Sequence, residues 1–222
     1  MNLSDLNQPV GGKSNASDLD RFSFIDYYSY EELTIYPEIM KNLIFLYQRI
    51  FSESEAWEEN YKETEIEEFI KNGLSGDACL RICFDVNETL QPIGFCWAQK
   101  LPVDAVLSSI ESIQFYRNIG SPNIKAPLKE IMGNSEVVYI HDLGISLEYR
   151  GRVPLESLVI PPVRNVVMES EVNRVLFWSN PQTCIHHLAH KVQIPMILES
   201  SEMQFFLLDV REENMKMAER IK

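Results

Sequence analysis

The chain has 222 residues, 45% of them hydrophobic, which is enough for an ordinary globular core. Its formal net charge of −13 excludes general nucleic-acid binding, which needs a basic surface to displace counterions, and it disfavours an anionic membrane surface. No apolar run approaches the roughly 18 residues of a membrane span, and the segment after Met1 lacks the apolar stretch of a secretory signal, so a cytoplasmic protein is expected.

Residues 1–20 contain Gly11-Gly12-Lys13-Ser14-Asn15 and little that could pack. They are expected to be a mobile tail ahead of a single domain over 21–222. Gly-Lys-Ser has no strand before it and no upstream glycine, so it is not a phosphate loop. Arg21 to Tyr28 alternates aromatic and polar residues and reads as a first strand. Tyr36 to Phe51 places Ile39, Leu43, Ile44, Leu46, Tyr47 and Ile50 at helical spacing. Ser52 to Phe69 reads as a second helix, strongly acidic, with Lys62 as its one cation. That run is either a solvated helix face or a wall that attracts a cationic amine. Asp77 to Val86 and Ile93 to Lys100 read as hairpin strands joined at Asn87-Glu88. Cys79, Cys83, Cys96 and Cys184 form no Cys-x-x-Cys pair and read as small core residues of a reducing compartment.

Leu101 to Ser135 is longer than a simple connection. Helices are expected over Ala105 to Tyr116 and Ala126 to Met132, broken at Ser121-Pro122-Asn123. The next stretch, Glu136 to Leu147, carries Val137, Val138, Tyr139, Ile140, Leu143, Ile145 and Leu147, as a buried strand needs. His141 and Asp142 lie on it, with side chains expected on opposite faces by the period of two. One of them should point to a reaction cleft, His141 being the better base; a hydrogen-bonded structural pair is the alternative. Tyr149-Arg150-Gly151-Arg152 then puts two guanidinium groups and a flexible glycine at a turn, and Pro154 suits the first turn of a helix. A helix start with arginines before it is a cradle for an anion or phosphate, or simply a solvated turn.

Leu155 to Ser170 reads as a helix with an interruption near Ile160, because Pro161-Pro162 removes two N–H donors. Arg174 to Ser179 reads as a buried strand, and Asn180-Pro181 as the cap of a helix over Gln182 to Val192. Pro195 to Leu198 and Gln204 to Asp209 read as the last strands, with a charged terminal segment after Arg211. Three histidines cluster on the helix. His186 and His190, four apart, share a face, but no acidic residue within that helix completes a metal set, so no metal is expected.

Glu148-Tyr149-Arg150-Gly151-Arg152, following a β strand, resembles the acyl-CoA-binding motif of the GNAT superfamily of N-acyltransferases, Arg/Gln-x-x-Gly-x-Gly/Ala. Val153 and Leu155 stand where that family has small residues, with Pro154 between them. Gly94-Phe95-Cys96-Trp97-Ala98 is similar to the family's third strand, and Asn180 to the start of its last motif. The resemblance implies an α/β (α+β) fold with a mixed, mostly antiparallel sheet of about six to seven strands flanked by helices. It implies transfer of an acyl group from acetyl-CoA or another acyl-CoA to an amine of a small molecule or peptide. Backbone at Leu143, Gly144 and Ile145 would pair with the pantetheine arm, and Asn180 would also contact the donor. Arg150, Gly151 and Arg152 would hold the phosphates. His141 or Asp142 would act as base. The family's acidic tyrosine is missing; depending on register His187 or Ala189 takes its place, His187 being the candidate acid. Leu101 to Ser135 would be either a surface insertion or a wall of the acyl channel. Two alternatives stay open: a non-catalytic GNAT-like domain that binds a ligand or partner, and an acyltransferase served by an acyl carrier protein. The sequence sets no oligomeric state, a homodimer being one open arrangement.

Overall fold

Seven strands run through the computed structural model, which describes residues 21–53, 60–88, 91–113, 116–117, 123–200 and 202–210. They are β1 (Phe22–Tyr27), β2 (Ala78–Asp85), β3 (Pro92–Pro102), β4 (Glu136–Ile145), β5 (Arg174–Ser179), β6 (Met196–Ser200) and β7 (Met203–Asp209). Their hydrogen-bonded order is β1-β2-β3-β4-β5-β7-β6. Neighbours β1/β2, β2/β3, β5/β7 and β6/β7 are antiparallel, and β4/β5 is parallel. The helices are α1 (Tyr30–Thr34), α2 (Pro37–Glu53), α3 (Glu63–Gly73), α4 (Val103–Ser112), α5 (Lys125–Met132), α6 (Leu155–Ser170) and α7 (Cys184–Lys191), with a 3-10 turn at Leu147–Tyr149. The mixed, mostly antiparallel sheet flanked by helices is the one expected. No helix among the described residues is long and apolar enough to cross a membrane. The expected tail over 1–20, the break at Ser121-Pro122, the centre of the acidic run and the segment after Arg211 lie outside the described residues.

The chain divides into two compact units, one holding residues 21–99 and 140–170, the other Lys100–Tyr139 and Glu171 onward. In the first, α2 buries Ile39, Leu43, Leu46, Tyr47 and Ile50, the helical stripe expected from their spacing. These pack with Ile66 and Ile70 of α3 and with Leu80, Ile82, Phe95 and Trp97 of β2 and β3. Trp97 occupies the space beside Gly73, where a Cβ would stand 1.6 Å from the indole ring. The thiols of Cys79, Cys83 and Cys96 are buried. Burial pushes Cys79 and Cys83 up to about 12, and Cys96 higher still, which suits core residues rather than nucleophiles.

The single acidic helix expected over Ser52 to Phe69 is not formed. Residues 60–62 are not helical and α3 begins at Glu63, because Lys62 is extended and its N–H donates to the Glu65 carboxylate at 2.8 Å, closing a helix start there. The short helix α1 was not expected. Its signal was Ser29-x-x-Glu32: the Ser29 hydroxyl accepts from Glu32 N at 3.2 Å, and Glu32 accepts from Tyr28 N at 2.8 Å.

Helix α6 runs unbroken through Pro161 and Pro162, against the expected interruption. Pro161 has no N–H for the Ser157 carbonyl four residues back. Arg81 of β2 supplies the missing donor, Nη1 to Ser157 O at 2.9 Å. The same guanidinium grips Asp26, its register partner on β1, at 2.7 and 2.8 Å.

In the second unit, Val103, Val106, Leu107 and Ile110 of α4, Leu128 and Met132 of α5, and Val175, Leu176, Phe177, Phe205 and Phe206 of the strands are buried. Phe177 stacks on Phe206 at 5.2 Å.

Arg81→Met leaves the half-buried Asp26 carboxylate with only the 3.5 Å bond from Asn165 and removes the Arg81 donor from the Ser157 carbonyl, so urea unfolding should register a loss of about 2–4 kcal/mol; a loss below about 0.5 kcal/mol would contradict this role. Arg21 donates to Asp85 at 2.7 Å and Asn87 adds two bonds, so the Asp85 carboxyl titrates near about 2 rather than 3.8. That stabilisation is present above the unfolded value and is lost as pH falls from about 4 to about 2. The melting-temperature deficit of Asp85→Asn should therefore be largest near neutrality and fade by pH 2, and a deficit independent of pH would rule this out.

Candidate active site

The C-terminal half of β4 and the turn after it belong to the first unit and carry most of the residues singled out from sequence. Their position depends on close packing. A Cβ on Gly144 would meet Ile50 Cδ1 and the Phe95 ring at 2.9 Å, and one on Gly94 would meet the Gly144 carbonyl at 3.1 Å. Two glycines thus let β3, β4 and α2 approach at this point. The parallel β4–β5 ladder is made at Val138 and Tyr139, and Leu143, Gly144 and Ile145 come after it on β4.

The side chains of His141 and Asp142, expected on opposite faces, close on each other as the hydrogen-bonded pair that was the stated alternative. His141 Nδ1 lies 2.8 Å from Asp142 Oδ2. Nδ1 is the ring nitrogen nearest the backbone, and an aspartate is short, so neighbouring side chains can close on each other. Tyr47 of α2, not singled out beforehand, donates its hydroxyl to the same oxygen at 2.9 Å. Trp97 stacks on the His141 ring at 4.5 Å and 17°, and Tyr47 stacks on Phe95 at 5.4 Å. An ionised carboxylate only accepts, so Nδ1 carries the proton and Nε2 is the basic nitrogen. The two side chains are 22% and 16% exposed, so both are sheltered yet reach the surface. An imidazole oriented by a carboxylate in this way is the type of group that serves as a general base.

The strand ends at Ile145, and Leu147, expected as its last buried residue, is exposed in the 3-10 turn. Tyr149 anchors the turn: it is buried, its hydroxyl donates to Glu88 at 2.8 Å, and burial pushes it up to about 12. Arg150, Gly151 and Arg152 are all exposed. Gly151 has a φ of +77°, so a residue with a side chain would be strained there. Pro154 stands just before α6 rather than in its first turn, its carbonyl accepting from Ser157 N and Leu158 N at 3.1 and 3.3 Å. The amides of Arg150, Arg152 and Val153 are already used, bonded to Leu147 O and Tyr149 O at 3.1–3.3 Å. Val153 points into the core and is buried. An anion here would therefore meet mainly guanidinium groups and the start of α6. Arg150 Nε also donates to Ile145 O at 3.2 Å, which aims its side chain along the turn.

Asn180 and His187 belong to the second unit. Asn180 is not the helix cap. It is buried, Oδ1 accepting from Gln182 N at 2.9 Å, and Thr183 caps α7 by accepting from His186 N at 3.4 Å. A threonine two positions after proline was the overlooked signal. His187 is exposed. His186 and His190 share a face as their spacing required, ring centres 4.4 Å apart, with Phe206 beneath both. Burial and the neighbouring histidines lower the His186 pKa. Among the described residues no three ligating side chains converge as a metal site.

A groove of about 600 Å³ lies between α1, α2 and α3, lined by Tyr30, Met40, Lys41, Phe45, Glu63 and Glu67 among others. Tyr47, His141 and Asp142 do not line it, so its size alone does not make it the reaction site. It does put two glutamates of the acidic run beside apolar side chains.

No protein-family model matches the chain, and no curated protein matches it in sequence. Solved structures do. The Arabidopsis thaliana NAA60 complex with acetyl-CoA aligns with a TM-score of 0.51 at 15% identity, over 86% of this chain and 99% of that one. A mosquito arylalkylamine N-acetyltransferase-like protein, 5b, aligns with a TM-score of 0.55 at 12% identity, over 84% and 99%. The Drosophila melanogaster polyamine N-acetyltransferase, which forms N-acetylagmatine, aligns with a TM-score of 0.56 at 11% identity, over 84% and 100%. With the strand order and helices above, these alignments over nearly the whole of each neighbour show that the chain has the fold of the GNAT superfamily.

Proposed function

We propose that the protein is a cytoplasmic N-acyltransferase of GNAT type that moves an acyl group from acyl-CoA to an amine. The observation that carries this reading is the pairing, on one strand and its following turn, of an oriented histidine with two exposed guanidinium groups. Arg150 and Arg152 hold the donor's phosphates. Backbone groups at Leu143, Gly144 and Ile145 pair with the pantetheine arm. His141 Nε2 takes the proton as the amine nitrogen attacks the thioester carbonyl. The new C–N bond forms, the C–S bond breaks, and the thiolate leaves with the electron pair. Asp142 and Tyr47 hold the imidazole in the right tautomer and stabilise the imidazolium. The acidic face of α3 favours a cationic acceptor, either a small amine or a peptide amine.

A second reading, a non-catalytic GNAT-like ligand-binding domain, is favoured by one feature. The turn amides of Arg150, Arg152 and Val153 are consumed internally, so the phosphate cradle has fewer donors than the family motif implies.

Calorimetric titration with acetyl-CoA and a long-chain acyl-CoA tests the donor site. Saturable binding is expected, weakened about tenfold in Arg150→Ala. No binding to either donor would end the CoA-dependent reading. A screen of amines for thiol release then separates the two readings. In the enzyme, His141→Ala should cut kcat about a hundredfold while donor affinity stays within about threefold. Unchanged kcat would remove His141 from the mechanism, and binding without turnover would favour the second reading.

A further inference from the structure

Helix α2 reaches the site twice, two residues apart. Tyr47 donates to Asp142. Arg49 meets the turn further on: its Nη2 bonds to Ser146 Oγ and lies 3.2 Å from Glu148 Oε2. Ser146 is buried, its N–H donates to the Ile93 carbonyl of β3 at 2.8 Å, and its hydroxyl bonds to Glu148. Ser146 is therefore a fixed point, and Glu148 is held between its hydroxyl and the Arg49 guanidinium.

Glu148 is the one carboxylate in Glu148-Tyr149-Arg150-Gly151-Arg152, two residues from Arg150 and mostly exposed. Left unpaired, it would offset the field of the arginines and repel a phosphate arriving at the turn. Paired with Arg49, it is neutralised and drawn towards α2. Arg49 is also too far along the sequence from the turn for any motif to include it.

We propose that Arg49 is a positioning residue of the anion-binding turn: by masking Glu148 and bracing Ser146, it leaves Arg150 and Arg152 with net positive charge for a phosphate-bearing ligand. The proposal rests on the acyl-CoA reading of this turn. It assigns Arg49 no contact with the reacting atoms.

The test is calorimetry with CoA on the full chain and on Arg49→Ala, Arg49→Lys, Glu148→Gln and the Arg49→Ala/Glu148→Gln double variant, each with its melting temperature. Arg49→Ala should weaken CoA binding about five- to tenfold, because an exposed carboxylate now faces the phosphates. Arg49→Lys, which keeps the charge, should stay within about threefold of the unsubstituted protein. The decisive outcome is rescue: adding Glu148→Gln to Arg49→Ala should restore affinity to within about twofold, since the charge that needed masking is gone. A merely structural Arg49 would give no such rescue. Should Arg49→Ala fail to fold, Arg49→Gln carries the same comparison. Unchanged binding in Arg49→Ala, or an unrescued loss in the double variant, would overturn this proposal alone. No CoA binding by the unsubstituted protein would overturn it together with the acyl-CoA reading.

Discussion

The Arg81 guanidinium is the interaction on which the first unit depends. It joins three pieces of chain: β1 through Asp26, β2 through its own backbone, and α6 through the Ser157 carbonyl. Without an outside donor, a proline pair in mid-helix leaves carbonyls without partners in a low-dielectric setting, where each costs about 1–3 kcal/mol. With it, α6 stays continuous from Leu155 to Ser170. Asn165, one turn beyond the prolines, adds to the same cluster by donating to Tyr28 Oη at 2.9 Å. Ser157 lies near the start of α6, so the same ion pair steadies the helix end that follows the Tyr149–Arg152 turn.

A second constraint is spatial. Gly94 and Gly144 leave room for β3, β4, the Phe95 ring and Ile50 of α2 to meet closely. That contact brings α2 within reach of β4, and α2 then supplies Tyr47 to Asp142 and Arg49 to the turn. Packing and chemistry are the same feature here. Tyr47 is itself buried against Phe95 while its hydroxyl holds Asp142, and Arg49 lies between buried Tyr47 and Ile50 on α2. The His141–Asp142 pair is stabilised from three sides: by its own hydrogen bond, by the Tyr47 hydroxyl, and by the face of Trp97.

Two of the misreadings from sequence trace to a partner distant in the chain and two to local capping bonds. The period of two places the Cβ atoms of His141 and Asp142 on opposite faces, but it says nothing of side-chain torsions that a Tyr47 hydroxyl 95 residues away stabilises. The double proline predicts a break because local rules count only the donors lost. Arg81, 76 residues before Ser157, lies outside any local window. Asn180-Pro181 offers a plausible cap, and Thr183 takes the role because the Asn180 side chain is spent on an earlier turn. The acidic run was legible as composition, but the start of α3 within it is set by hydrogen bonds at Lys62, whose N–H donates to Glu65 and whose carbonyl accepts from Glu65 N and Ile66 N.

The strands were legible in local patterns, and the sheet they form followed from the family resemblance. Alternating or continuous apolar runs set seven strands, the stripe in α2 set its buried face, and the basic Tyr149–Arg152 segment marked the turn and the resemblance that goes with it. These are local patterns, and local burial and backbone preference are enough to fix them. The tertiary structure alone decided which side chains work together: Tyr47 with Asp142, Trp97 with His141, Arg49 with Glu148, Arg81 with a proline-orphaned carbonyl. Each joins residues at least 44 positions apart. Such pairs exist only once packing has brought their elements together, because desolvation by the surrounding core makes a hydrogen bond or ion pair worth forming there and costly to leave unmade.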